Sequence, residues 1–147
     1  MKNIRYVYTV GMKPEAVAER LAEASSGVLS LADGSRSYAI PAHVHHDAEG
    51  ERLLFRLTDD GTSKKFEFIE ATDEATFVCY EDAGTDSWSI FARGPIRVLP
   101  DDERPDETTI NEMYGGGVRV FDEEIDDLEV HIVELELDEL TGRETAR

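Results

Sequence analysis

The chain has 147 residues, of which 33 are acidic and 15 basic, and its formal net charge is −18. Such a surface repels nucleic acid and anionic membranes, so neither is expected as a partner. Forty per cent of the residues are apolar, which predicts one globular domain over residues 1–147, and no apolar run is long enough for a membrane helix.

The N-terminal region predicts a helix and no signal peptide. The first residues lack a long apolar stretch and a small-residue cleavage site, so a cytoplasmic location is expected. A helix is predicted over 12–27, because Pro14 suits a helix start and Val17 and Leu21 recur at helical spacing. Gly27 suits its end.

Two strands are predicted over 27–32 and 36–46, joined by the turn "DGS". In the second strand alternate side chains face opposite sides. One side carries Tyr38, Ile40, Ala42 and Val44, and the other carries Ser37, Ala39, Pro41, His43 and His45. Because Pro41 donates no hydrogen bond to a neighbouring strand, an edge or a bulge is expected there.

The rest of the chain alternates strands with short turns. Further strands are predicted over 52–58, 75–81, 87–100 and 128–140, with helices over 63–72 and near 107–114. The resulting fold class is mainly β, about six antiparallel strands with two or three helices, and the short turns favour a barrel or a sandwich. Cys79 lies in an apolar strand, where a buried, unreactive thiol is expected.

The helix predicted over 63–72 carries two of the four lysines at its start. If Ser63 caps this helix, Lys64 and Lys65 occupy its first turn, where the macrodipole favours acids by roughly 0.3–1 kcal/mol per charge. One interpretation is a site for an anion, with phosphate the best match. The other is a solvated pair of lysines that interacts with Asp59, Asp60 or Glu67, and the sequence leaves both open.

Two arginines could approach the same anion. Arg56 precedes the turn that leads to Ser63, and Arg36 begins the strand before it. Both would reach this region if the two strands pair through the turn "DAEG". Surface ion pairs with neighbouring acids are the alternative for each arginine.

The histidines form half of a metal signature. His43 and His45 project from one face of a strand, and with Glu49 they make "HVHHDAE", which resembles the first motif of the cupin barrels. Ser37 stands where that motif has glycine, and the second motif is absent. Since His131 is the only histidine outside this stretch, a third firm ligand is not identifiable and no metal site is predicted.

The order of these pieces resembles a known family. The run "GVLSLADGSRSYAIPAHVHHDAEGERLLFRLTDDGTSKKFEFIEATDEATFVCYE", followed by "WSIFARGPIRVL", is similar to the pyridoxamine 5′-phosphate oxidase-like split-barrel flavoproteins. It most resembles their small members grouped with nitroimidazole-resistance proteins, including haloarchaeal ones. The resemblance implies a split β-barrel and a homodimer that binds FMN at the subunit interface.

The resemblance also implies which residues bind the cofactor. Ser63, Lys64, Lys65 and Arg36 would hold the phosphate, and Ala39, Ile40 and Pro41 would line the flavin ring. Phe55 and Arg56 would contribute from the next strand, and Trp88 and Ser89 from the partner subunit or the rim. His43 or His45 would lie near the flavin as a proton donor, or else as a haem ligand, and a plain hydrogen-bonded histidine is the structural alternative.

The predicted function is that of a flavin-dependent oxidoreductase acting on an unknown small substrate. The larger oxidases of the family carry an arginine-rich C-terminal segment, which "DELTGRETAR" does not match, so vitamin B6 oxidation is not expected. A non-catalytic flavin or haem carrier and a deazaflavin-dependent reductase are the alternatives. The dispersed acids and scarce lysines resemble those of proteins from salt-in halophiles, an ordinary acidic protein being the other interpretation.

Overall fold

The computed structural model describes residues 9–59, 61, 64–112 and 129–146. Its strands are β1 Thr9–Gly11, β2 Ser26–Asp33, β3 Arg36–Asp47, β4 Arg52–Asp59, β5 Ala75–Glu81, β6 Trp88–Gly94, β7 Ile96–Val98, β8 Glu129–Glu136 and β9 Glu139–Thr145. Its helices are α1 Pro14–Glu23, α2 Lys64–Ala71 and α3 Glu107–Glu112, with a 3-10 turn at Asp101–Glu103. Among the described residues, no helix has the length and apolar character needed to cross a membrane.

The described strands form one curled antiparallel sheet in the order β1-β9-β6-β5-β2-β3-β4-β8-β7. The sheet curls back on itself, because β6 continues into β7 through Pro95 and β8 continues into β9 through Leu137 and Asp138. The Glu136 amide donates to the Pro95 carbonyl at 2.9 Å, and the Asp138 amide donates to the Arg93 carbonyl at 3.1 Å. The fold is therefore mainly β and a split barrel, as predicted.

Two predicted strands are each broken by a bend. The single strands expected over 87–100 and 128–140 are wrong, since the first breaks at Pro95 and the second at Leu137. At Gly94 a Cβ atom would collide with the backbone of Glu136, so only glycine allows the two bends to pack together. Pro95 has no amide hydrogen to continue the ladder. These two breaks and the unpredicted strand β1 raise the described strands to nine, above the six or so expected.

The barrel core is filled by apolar side chains from the helices and from the inner face of the sheet. Helix α1 contributes Val17 and Leu21, and α2 contributes Phe68 and Ile69. Within the sheet, the ring of Phe55 packs against Phe77 with centroids 5.2 Å apart. A second, smaller cluster on the outer face of β4 and β8 joins Leu54, Leu99 and Ile132, with Ile110 of α3 against it.

The first helix is shorter than predicted. It ends at Glu23, and Gly27 belongs to β2 instead of ending the helix. Position 27 requires glycine because the strands approach closely there: a Cβ atom at Gly27 would lie 2.5 Å from the carbonyl oxygen of Val78. The predicted extension of α3 to Tyr114 lies outside the described residues.

The cysteine is buried, as predicted. Cys79 is 2% exposed in the core. Burial raises the pKa of its thiol to about 11. It therefore stays protonated near neutral pH, where thiols are poor nucleophiles.

Candidate functional site

Strand β3 divides into a paired half and an open half. Residues Arg36–His43 pair with β2 only, whereas Val44–Asp47 pair with β4. Along the open half, no strand among the described residues covers the second edge. Pro41 lies in this half, which confirms the expected edge position, since an open edge needs no amide donor there.

The two faces of the open half differ. Tyr38 and Ile40 pack against the core, whereas Ala39, Pro41 and His43 are exposed on the outer face. Ala39, Ile40 and Pro41 therefore cannot line one surface with all three side chains. They can do so with their backbone, because the free edge exposes amide and carbonyl groups.

Helix α2 lies against the start of β3. The Arg36 guanidinium carbon is 5.3 Å from the centroid of the Phe68 ring. Tyr38 stacks on the same ring at 4.9 Å with an interplanar angle of 16°. Since Phe68 follows Lys64 by one helical turn, Arg36 lies on the face of α2 that Lys64 shares. The structure thus places Arg36 beside the middle of α2, whose first turn carries the other two predicted phosphate ligands, Lys64 and Lys65.

The far end of α2 is tied to the sheet. The Thr72 hydroxyl accepts from the Ala32 amide at 3.0 Å, and it lies 2.6 Å from the Phe68 carbonyl, to which it can donate. Thr72 is buried, so these bonds hold the helix with little competition from water. The first turn, which carries the lysines, therefore has a fixed position relative to β2 and β3.

The cations at this end lack acidic partners within the described part of the chain. No ion pair there involves Arg36, Lys64 or Lys65. Lys64 is exposed, and the Lys65 ammonium lies 5.9 Å from the centroid of the Phe66 ring. Pairing with Asp59 or Glu67 is thus not observed, whereas Asp60 and the predicted cap Ser63 lie outside the described residues.

His43 and Arg56 flank the point where β3 and β4 diverge. The last paired residues are Val44 and Phe55, so His43 and Arg56 come next on their strands and share the outer face. Arg56 is half-buried, and this burial lowers the pKa of its guanidinium. Phe55 is fully buried, so any contact it makes with a bound molecule must be through its backbone.

The histidines occupy the faces that the sequence predicts. His43 is exposed, and its Nδ1 lies 3.3 Å from the Ser25 carbonyl oxygen. A carbonyl oxygen only accepts, so Nδ1 carries the proton and Nε2 is the basic nitrogen. His45 is half-buried on the same face. His46 lies on the opposite face, where burial lowers its pKa.

Trp88 and Ser89 lie apart from the other predicted residues. They begin β6, and β5 and β2 separate this strand from β3. The Arg20 guanidinium carbon lies 5.3 Å from the centroid of the Trp88 ring. The buried indole nitrogen of Trp88 has no hydrogen-bond acceptor in the described part of the chain. A single chain therefore does not bring Trp88 and Ser89 to Arg36.

The outer face carries an apolar row that the sequence analysis missed. Direct cross-strand pairs join Pro41 to Val28, Val28 to Val78, and Val78 to Phe91. Val28 is 39% exposed although it is a large apolar residue. The signal that could have found the row is that the outward positions of four adjacent strands are apolar.

The fold and the matching family define the class of protein. A curled split barrel with a helix across one end is the architecture, and residues 13–144 match the family model of pyridoxamine 5′-phosphate oxidase. The chain therefore belongs to the pyridoxamine 5′-phosphate oxidase family. No protein with a curated description matches it.

Solved structures show the same fold. A FAD-binding protein from Mesorhizobium loti is 16% identical, covers 97% of this chain and 100% of its own, and has a TM-score of 0.72. The FAD and heme binding protein from Mycobacterium smegmatis is 12% identical, covers 95% of this chain and 74% of its own, and has a TM-score of 0.68. A proposed 5-nitroimidazole antibiotic resistance protein from Bacteroides thetaiotaomicron is 13% identical, covers 99% of this chain and 95% of its own, and has a TM-score of 0.67. At these identities the likeness concerns the fold alone.

Proposed function

We propose that the protein is an FMN-dependent oxidoreductase acting on a small substrate. The observation that carries this proposal is that Lys64 and Lys65 in the first turn of α2, and Arg36 beside the same helix, have no acidic partner among the described residues. In a chain with 33 acids and 15 bases, unpaired cations at a helix start suit a dianion. Family membership and the flavin-binding neighbours favour a flavin phosphate as that dianion.

The chain's own residues would position the cofactor. Lys64 and Lys65 neutralise the phosphate, Ser63 adds a hydroxyl, and Arg36 approaches from the start of β3. The open edge of β3 offers amides and carbonyls to the polar rim of the ring. When bound, FMN supplies two-electron redox chemistry, for which the protein provides orientation and electrostatics.

His43 is the proposed proton donor. Its exposed ring lies on the outer face beside the free edge, with Nδ1 held by the Ser25 carbonyl. Nε2 is then free to take up a proton and deliver it to a substrate on the open side of the barrel. His45, on the same face but half-buried, is the second candidate for this role.

A second copy of the chain is the proposed partner. The apolar row of Pro41, Val28, Val78 and Phe91 would be removed from water in a homodimer, and Trp88 and Ser89 of each copy would then approach the flavin held by the other. Gel filtration with light scattering tests this directly. We expect a dimer for the natural chain and a shift toward monomer for Val28→Asp, and a natural chain that runs as a monomer contradicts it.

The proposed setting is the cytoplasm of a cell with high internal salt. The chain's net charge of −18 would be screened there. Thermal unfolding at increasing KCl concentration tests this setting. We expect the midpoint to rise steadily up to molar salt, and a midpoint that peaks at low salt would refute it.

A non-catalytic haem or flavin carrier is the second candidate. One neighbour is named as a FAD and heme binding protein, and the outward Nε2 of His43 could bind haem iron. The absorption spectrum of freshly purified protein separates the candidates, because a haem Soret band differs from the two visible bands of oxidised flavin. A flavin spectrum bleached anaerobically by NADH or NADPH supports the oxidoreductase.

His43→Ala tests the catalytic role. We expect the variant to keep its flavin colour and to lose at least about tenfold in the rate of turnover, the low end of what a general acid contributes. Ser25→Ala serves as the control, because the Ser25 carbonyl that holds His43 is part of the backbone. Full turnover by His43→Ala, with full turnover by His45→Ala as well, would reject the assignment.

A further inference from the structure

Three potential metal ligands meet at the end of the β4–β8 ladder. Asp59 pairs directly with Glu129, and Leu57 pairs with His131, so the side chains of Asp59, Glu129 and His131 emerge on one face. One ligand atom from each of these residues lies within 4.8 Å of the other two. We call these three residues the β4–β8 triad.

The donor atoms of the triad suit a divalent transition metal. One imidazole nitrogen with two carboxylates is a mixed set that Zn²⁺ and Mn²⁺ accept. His131 Nε2 lies 3.3 Å from a Glu129 carboxylate oxygen. Two ligands on a tetrahedral zinc, with bonds of about 2.0–2.1 Å, are separated by about 3.3 Å, so this pair needs little rearrangement.

The charges around the triad also favour a cation. Asp59 and Glu129 face each other across paired strands, an arrangement that is destabilising when both are ionised. In the described part of the chain, no lysine or arginine pairs with either carboxylate, although Lys64 and Lys65 begin the adjoining helix. The acids therefore lack the neutralising partners that other acids of this protein have, such as Asp47 and Glu134.

The histidine is held in place by an aromatic contact. The ring of Phe66 in α2 meets the ring of His131 edge-on, with centroids 4.8 Å apart. This contact limits rotation of the imidazole and thereby reduces the entropy that binding would cost. It also links the triad to α2, so an ion there would clamp β4, β8 and the helix together.

We propose that Asp59, Glu129 and His131 bind a divalent transition metal ion, with Zn²⁺ the best match and water completing its coordination. The proposal goes beyond the flavin function and does not depend on it. None of the three residues belongs to the proposed flavin site. The role of the ion is to join the ends of β4 and β8, next to the contact of His131 with Phe66 of α2.

Calorimetry on chelator-treated protein tests the proposal. Zn²⁺ is titrated in about 1 M KCl, where the Debye length of about 3 Å screens diffuse attraction of cations to the acidic surface. We expect one ion per chain, and at least a tenfold loss of affinity in Glu129→Gln. Glu136→Gln is the matched control, because it removes another exposed carboxylate of β8. Equal affinities in these two variants would overturn the site.

A paramagnetic probe locates the ion independently. The chain has only four histidines, so their ring proton signals can be followed separately. Substoichiometric Mn²⁺ is expected to broaden the His131 signals before those of His43, His45 and His46. Glu129→Gln should abolish this selectivity without unfolding the chain, since Glu129 is exposed. Equal broadening of all four histidines would show diffuse binding and contradict the proposal.

Discussion

The cations near the two ends of β3 differ in whether they have acidic partners. At the end near Asp47, the Arg52 guanidinium lies 2.8 Å from carboxylate oxygens of both Asp47 and Glu134. Arg97 lies 3.1 Å from Glu134 and 3.1 Å from Glu103. We call these five residues the ionic network. Every charge in it has an opposite charge within contact distance. Strands β4 and β8, which carry Arg52 and Glu134, are each paired on both sides.

At the other end of β3, Arg36 and the two lysines of α2 have no such partners in the described ranges. Arg36 instead contacts the ring of Phe68, and Lys65 lies near Phe66. Acids outnumber bases in this chain by 33 to 15, so acidic partners were available. The comparison teaches that unpaired cations are informative where acids are abundant: the ion pairs at one end of β3 stabilise the fold, and we propose that the cations at the other end hold an anion.

The largest expected effect is at the unpaired end. Lys64→Ala combined with Lys65→Ala should weaken FMN binding by about 2–4 kcal/mol, because charge-assisted hydrogen bonds contribute about 1.5–3 kcal/mol each. Quenching of flavin fluorescence measures the dissociation constant. Lys13→Ala is the control, since Lys13 is an exposed lysine at the start of the other long helix. Equal FMN affinity in the double variant and the control would show that the unpaired lysines do not bind the phosphate.

The next effect is at the paired end. Arg52→Ala should lower the free energy of unfolding by about 1–3 kcal/mol, because it leaves Asp47 and the largely buried Glu134 without their shared partner. Urea denaturation measures the change. Arg93→Ala should cost less than about 1 kcal/mol, since its ion pairs with Glu74 and Glu139 are exposed. The idea fails if both variants lose the same stability, or if Arg52→Ala weakens FMN binding as much as the lysine change does.

The smallest expected effect is a change of the free energy of unfolding with pH. The hydrogen bond from Arg52 lowers the pKa of Asp47. For Glu134, burial acts to raise the pKa, but hydrogen bonds from Arg52 and Arg97 outweigh it and the pKa is lowered. A lowered pKa in the folded state adds stability above the unfolded value of about 4, and this stability is lost as pH falls through the folded value.

The stability gap between the natural chain and Arg52→Ala should therefore shrink as pH is lowered from about 5 to about 2. Urea denaturation at a series of pH values measures it. Taking the difference between the two chains removes the contribution of the other acids. A gap that stays constant over this range would show that Arg52 does not stabilise the ionised carboxylates.

Local patterns made much of the fold predictable. The spacing of Val17 and Leu21 gave α1 and its buried face, and the alternation along β3 gave its two faces. Pro41 correctly indicated an edge, because its missing amide has a local consequence. The helix predicted over 63–72 is confirmed as α2, Lys64–Ala71.

Contacts between distant parts of the chain could not be predicted. The bend at Gly94 depends on the backbone of Glu136, which the sequence does not identify as a neighbour. The β4–β8 register places Glu129 and His131 beside Asp59. Because the sequence does not show this register, the three residues could not be grouped as ligands in advance. Of the candidate site, the meeting of Arg36 with α2 followed from the resemblance, whereas its aromatic support by Phe68 depended on tertiary packing.

The most direct measurement compares FMN with riboflavin, which lacks the phosphate. If Arg36, Lys64 and Lys65 hold that phosphate, the natural chain binds FMN at least about 30-fold more tightly, equivalent to about 2 kcal/mol. The variant lacking both lysines should then lose most of this preference while keeping its riboflavin affinity. An unchanged preference, or equal affinity of the natural chain for both flavins, would contradict the account.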